Sequence, residues 1–121
     1  MANILIVDDE PLIGELSQEH LGAAKHTTRL MTDSVQALAS LQKDLPDLIL
    51  LDVSMPDMDG YTFCQKLQEN PRTYAVPVLM VTAKANLRDT FAQFTNVRGF
   101  VEKPFTRSSL MAAVERALQK K

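Results

Sequence analysis

The chain is short of several things that would widen the choice of fold and function. Its 121 residues include one cysteine, Cys64, so no intrachain disulfide is available and the composition suits a reducing compartment. It has no tryptophan, so no indole ring reports on folding or binding. Excess charge of one sign is also missing. Thirteen Lys and Arg stand against fifteen Asp and Glu, a formal net charge of −2, which gives no sequence-wide electrostatic footprint for nucleic acid. No apolar run approaches the roughly 20 residues of a membrane-spanning helix. Residues Met1 to Val7 lack a basic segment and a long apolar stretch, so no signal peptide is expected. What is present is ordinary for a globular protein: 45% apolar and 23% charged residues, enough for a real core at this length. The expectation is one domain over residues 1–121, soluble and cytoplasmic, without linker, short repeat or low-complexity tract.

Short apolar runs alternate along the chain with segments of helical period. Ile4 to Val7 ends in Asp8 and Asp9, Leu48 to Leu51 ends in Asp52, and Val76 to Val81 ends in Thr82. Continuous runs of this kind suit strands buried on both faces, as in a parallel sheet. Thr27 to Met31 and Gly99 to Val101 are weaker strand candidates. Between them, Pro11 opens a helix with Leu12, Ile13, Leu16 and Leu21 on one broad face. Asp33 with Gln36 resembles a capping box ahead of Leu38, Leu41 and Leu45. Gly60 to Glu69 places Phe63, Cys64 and Leu67 together, and Leu87, Phe91 and Phe94 mark a fourth helix. Thr106 caps a last one carrying Leu110, Ala113, Val114, Ala117 and Leu118. The fold class is therefore α/β: a single doubly wound, five-stranded parallel sheet with five helices and right-handed crossovers.

In such a sheet the ligand site lies beyond the carboxyl ends of the strands, where Asp8, Asp9, Asp52 and Thr82 all stand. Three carboxylates on one rim repel one another unless a cation or protons offset them. A hard divalent ion such as Mg²⁺ fits, because it takes a few carboxylates plus waters and a phosphate. Lys103, after the last strand, brings a positive charge to the same edge, and Thr82 a hydroxyl. Together these groups suit a pocket that receives a phosphoryl group on a carboxylate.

The residues Asp8-Asp9-Glu10, Asp52 with Met55-Pro56-Asp57 and Asp59-Gly60, Thr82-Ala83 and Lys103-Pro104-Phe105, in that order after the first, third, fourth and fifth strands, resemble the receiver domains of response regulators in two-component signalling. The resemblance covers essentially the whole chain and implies the flavodoxin-like, CheY-like form of the fold. It implies Asp52 as the phosphorylated nucleophile, Asp9 as a direct Mg²⁺ ligand, Asp8 acting largely through water, and the backbone carbonyl of Ser54 completing the protein ligands. Thr82 and Lys103 would hold phosphoryl oxygens, Phe100 would be the switch aromatic, and Lys103–Pro104 would be cis. The implied phosphodonor is a histidine kinase or a histidine phosphotransfer protein. The implied output surface is the face of the fourth helix, the fifth strand and the last helix, with Leu87, Arg88, Phe100 and Arg107 near its exposed side. That surface could dock a partner or form a homodimer, with no direct contact to nucleic acid or membrane. The only chemistry implied is the domain's own phosphorylation and dephosphorylation, with Ser54 and Lys84 flanking the pocket and bearing on acyl-phosphate lifetime. Two departures stand out: Asn96-Val97 replaces the family's common Gly-Ala, and the stretch from Thr82 to Phe100 is one residue shorter than in CheY.

Other readings of the same residues are simpler. Glu10 reads as a helix-start residue with at most a minor role near the metal, Asp57 and Asp59 as turn and cap residues, Cys64 as core, and His20 and His26 as structural or exposed. A haloacid-dehalogenase-like phosphohydrolase also uses an aspartate nucleophile with Mg²⁺, but would place Asp-x-Asp where this chain has Asp8-Asp9-Glu10. A docking module that is never phosphorylated is the other alternative, and the intact set of acids, threonine and lysine argues against it.

Overall fold

The structure, a computed structural model, describes residues 2–53, 60–83, 91 and 94–119. Five strands, β1 (Asn3–Val7), β2 (Thr27–Met31), β3 (Leu48–Asp52), β4 (Val78–Thr82) and β5 (Val97–Glu102), form one parallel sheet in the order β2-β1-β3-β4-β5. Four helices lie among the described residues: α1 (Pro11–Ala23), α2 (Ser34–Ser40), α3 (Gly60–Gln68) and α4 (Arg107–Gln119). The helix expected around Leu87 falls mostly outside the described residues, as do Arg88, Ser54, Asp57 and Asp59.

The continuous apolar runs are explained by a core on each face of the sheet. Alternate residues of a strand face opposite ways, so Leu5, Val7, Ile49, Leu51, Val78 and Met80 join Phe63, Leu67, Phe91 and Phe94 on one side. Ile4, Ile6, Leu48, Leu50, Leu79 and Val81 join Leu21, Leu110 and Val114 on the other. β3 and β4 are buried along their whole length, whereas the edge strands β2 and β5 are largely half-buried.

The helix starts follow local chemistry. The Asp33 carboxylate accepts from the N–H groups of Val35 and Gln36 at 2.8 and 3.0 Å, capping α2. Thr106 and Ser109 cap α4 reciprocally, each side-chain oxygen accepting the other's N–H at 3.0 Å.

α1 departs from its expected face. Leu12 and Leu16 are exposed, and the buried residues are Gly14, Ser17 and Leu21. The reason is space: a Cβ on Gly14 would lie 2.5 Å from a Leu30 methyl, so α1 sits against β2 more closely than a larger side chain permits. The departure at Asn96 also has a structural reason. This buried side chain donates to the Val76 carbonyl at 3.0 Å and accepts from the Gln68 amide at 2.7 Å, tying the approaches to β4 and β5 to the end of α3.

Candidate functional site

The sheet's strand order reverses between β1 and β3, and the chemistry-bearing residues collect at that crevice. Asp8 leaves β1 still held by the ladder, its N–H donating to the Met31 carbonyl at 3.1 Å. Asp52 is the last residue of β3 and pairs with Val81, and Thr82 closes β4 opposite Glu102. The Lys103 N–H donates to the Thr82 carbonyl at 2.8 Å, so the lysine is anchored to the neighbouring strand end before the chain turns away. The Lys103–Pro104 peptide is cis, as expected.

The side chains converge. Asp8, Asp52 and Thr82 are 4%, 5% and 4% exposed. Lys103 Nζ lies 3.0 Å from Glu10 Oε1, 3.4 Å from Asp8 Oδ2 and 3.6 Å from Asp52 Oδ2. One oxygen from each of Asp8, Glu10 and Asp52 falls within a 4.8 Å group. Burial pushes the Asp8 carboxyl above its ordinary value of 3.8, and the Glu10 N–H and the Lys103 ammonium only partly offset this. Burial pulls Lys103 down, but the hydrogen bond to Glu10 and the charges of Asp52, Asp8 and Glu10 together outweigh it, so its affinity for a proton is raised. Lys103 therefore stays charged as the local counterion.

Asp8, Asp52 and Lys103 are thus brought together, with Thr82 buried on the adjacent strand end. Asp9 is half-buried and is not among the three grouped carboxylates. Ser54 and Lys84 lie outside the described residues. Glu10, read from sequence as a helix-start residue, does precede α1 and also makes the shortest contact to Lys103. It is the residue before α1, in extended conformation, yet its side chain makes no capping hydrogen bond. The available signal was the residue type, since the N-cap position favours the short oxygen-bearing side chains of Ser, Thr, Asp and Asn and here holds a glutamate. An all-carboxylate donor set without nitrogen or sulfur matches a hard divalent cation such as Mg²⁺.

Phe100 sits deeper than the rim. It pairs with Met80, two residues before the Thr82–Glu102 pair, and so shares the face of Thr82. Its half-buried ring meets Phe91 edge-on at 6.2 Å between centroids. The histidines stand apart from the site: His26 Nδ1 accepts from the Ala2 N–H at 3.1 Å, and His20 Nδ1 accepts from Arg107 Nε at 3.1 Å. Cys64 is buried in the core.

Comparison with known proteins agrees with this geometry. A family model described as the response regulator receiver domain matches residues 4–115. The DNA-binding dual master transcriptional regulator RpaA of Synechocystis is 35% identical over 121 residues, covering 99% of this chain and 50% of that protein. The chain thus spans about half the length of that relative. Among solved structures, the chemotaxis response regulator CheY4 of Vibrio cholerae superposes with a TM-score of 0.89 at 29% identity, covering 97% of this chain and 98% of that one. The receiver domain of the sensor histidine kinase PA1611 from Pseudomonas aeruginosa, described with a magnesium ion coordinated in its active-site cleft, gives 0.87 at 26% identity, covering 98% of each chain.

Proposed function

Because the chain belongs to the response regulator receiver domain family, we propose that Asp52 is its phosphoryl acceptor and that the domain switches an output surface when it is phosphorylated. One observation carries this reading: a buried Asp52 carboxylate at a strand end, with the Lys103 ammonium 3.6 Å away and a second buried acid, Asp8, sharing that ammonium. An oxygen of Asp52 forms the bond to phosphorus while the bond from phosphorus to the donor's leaving atom breaks, and the leaving group keeps the electron pair. Lys103 turns from the carboxylates to a phosphoryl oxygen, and the Thr82 hydroxyl donates to another, so the charge spreading over the phosphoryl oxygens meets fixed donors. Asp9, Asp52 and the Ser54 carbonyl, with Asp8 acting through water, would hold Mg²⁺, which would neutralise phosphoryl and carboxylate charge when bound. The donor is a histidine kinase or histidine phosphotransfer protein. A small donor such as acetyl phosphate also serves, because the domain itself supplies the positioning.

The output follows from the shared face of Thr82 and Phe100. Thr82 moves inward to reach a phosphoryl oxygen, and the Phe100 ring turns into the space left behind. The face of the helix expected around Leu87, β5 and α4 then changes shape and docks a partner or a second copy. A few kcal/mol between the two arrangements is enough for the modification to shift the population. No described helix is long and apolar enough to cross a membrane.

Incubation with acetyl phosphate and Mg²⁺ should add one phosphoryl group by intact mass, and chelator or Asp52→Asn should abolish the addition. Equal uptake by Asp52→Asn would reject the assignment. For the switch, amide NMR of a Mg²⁺–beryllofluoride form, in which the fluoride complex stands for the phosphoryl group, should show changes at Phe100 and α4. Changes confined to the Asp52 pocket would reject it.

A further inference from the structure

Glu10 has no part in the function as set out above, yet it is the closest partner of Lys103. Resting on the reading of Asp52 as acceptor, we propose that Glu10 is a positioning residue for Lys103: it draws the ammonium to the outer rim and sets the balance between cation affinity and phosphodonor approach. The backbone of Glu10 is fixed at both ends. Its N–H donates to Asp8 Oδ1 at 2.9 Å, and its carbonyl accepts from the Gly14 N–H at 3.0 Å as the first turn of α1 forms. The side chain does not cap the helix; it reaches back to Lys103 Nζ at 3.0 Å, nearer than Asp8 at 3.4 Å or Asp52 at 3.6 Å.

Burial separates Glu10 from the other two acids. Its side chain is 61% exposed, against 6% for each of Asp8 and Asp52. Glu10 can therefore release Lys103 and return to water at small cost, while the buried pair cannot. The four side chains leave two uncompensated negative charges, a deficit that suits one divalent cation. The same charge repels an anionic phosphodonor, and the ion pair with Glu10 withholds the Lys103 ammonium from the phosphoryl group it would grip. Glu10 thus favours the cation and restrains the anion.

Glu10→Gln separates these two effects. Mg²⁺ affinity, measured by calorimetry with no phosphodonor present, should fall about 3- to 10-fold, because an anionic neighbour is lost at short range. The rate of phosphorylation by acetyl phosphate at saturating Mg²⁺ should rise about threefold, because Lys103 is released and the repulsion reduced. Glu10→Asp keeps the charge but shortens the reach, so Mg²⁺ affinity should stay near wild type while part of the rate increase remains. Glu19→Gln, an exposed acid farther along α1, should leave both quantities unchanged. If Glu10→Gln lowers both quantities, or matches Glu19→Gln in both, the positioning role is overturned. Wild-type protein that takes up no phosphate would instead reject the Asp52 reading, so the two failures are distinguishable.

Discussion

Replacing Asp8 with asparagine should stabilise the cation-free protein, because the fold holds this charge at a loss. Asp8 is almost wholly buried, with oxygens of Asp52 and Glu10 inside the same 4.8 Å group and Lys103 at 3.4 Å as the compensating charge. At an effective dielectric of about 20, unit charges at such separations interact by roughly 3–5 kcal/mol. Two repulsions then exceed one attraction by about 2 kcal/mol. Water around the exposed Glu10 weakens its share, while desolvation of Asp8 acts in the direction of the repulsion. Asparagine keeps an oxygen to accept the Glu10 N–H, so that hydrogen bond survives. A net gain of about 1–2 kcal/mol should raise Tm by roughly 3–10 °C for a chain of this size.

The pH dependence of that gain has a definite sign. Burial raises the Asp8 carboxyl above 3.8 in the folded protein, so the folded state binds its proton more tightly than the unfolded state does. The resulting stabilisation is complete below the unfolded value and is lost as pH rises through the folded one. The advantage of Asp8→Asn should therefore be absent on the acid side of that window and full at neutral pH. Mg²⁺ should raise the Tm of wild type more than that of the variant, because the cation meets a charge the variant no longer has. Differential scanning calorimetry in chelator and in Mg²⁺, at acid and neutral pH, measures all of this. A variant that melts at or below wild type in chelator at neutral pH would refute the reasoning.

Other outcomes follow from single features of the fold. Gly22→Ala should stabilise the protein by about 0.5–1 kcal/mol in urea unfolding, since the position is exposed within α1 and an added Cβ meets no atom within 4 Å; a loss of stability would contradict it. Asn96→Ala should cost about 1–3 kcal/mol, because the Val76 carbonyl and the Gln68 amide lose their partner in or near the core, and an unchanged denaturation midpoint would count against that staple. The Cys64 thiol, pushed up to about 12 by burial, should react with a disulfide reagent at mildly alkaline pH only as fast as the protein unfolds; rapid labelling of the native protein would show the site to be open.

How much of this was legible in the sequence depends on what decides each element. The central strands were plain because β3 and β4 are apolar on both faces, as strands of a parallel sheet covered on both sides are. The edge strands gave weaker signals for the same reason, since β2 and β5 each have one side open to solvent and carry residues such as Thr27, Arg29 and Arg98. The buried face of α1 was misread because hydrophobicity pointed to Leu12 and Leu16, whereas Gly14 against Leu30 shows that close approach governs the packing there. Asn96 in place of glycine carried no visible purpose until Val76 and Gln68 were seen to share its amide.

The site shows the same division between topology and local geometry. Asp8, Asp52, Thr82 and Lys103 could be placed together from sequence alone because parallel strands deliver all their carboxyl ends to one edge of the sheet. Glu10 could not be placed that way while Pro11 marked it as the beginning of a helix, where an acid is ordinarily assigned to the helix dipole. Its backbone, with φ −97° and ψ 102°, is still extended. Asp8 and Glu10 meet at Lys103 because the chain bends at Asp9, where the Glu10 N–H folds back to Asp8 Oδ1 at 2.9 Å, and Asp9 does not join the group of oxygens. Asp9 and Glu10 are proposed for different tasks, one toward the cation and the other toward the lysine. Exchanging their side chains should therefore impair both Mg²⁺ binding and phosphorylation although the composition of the site is unchanged.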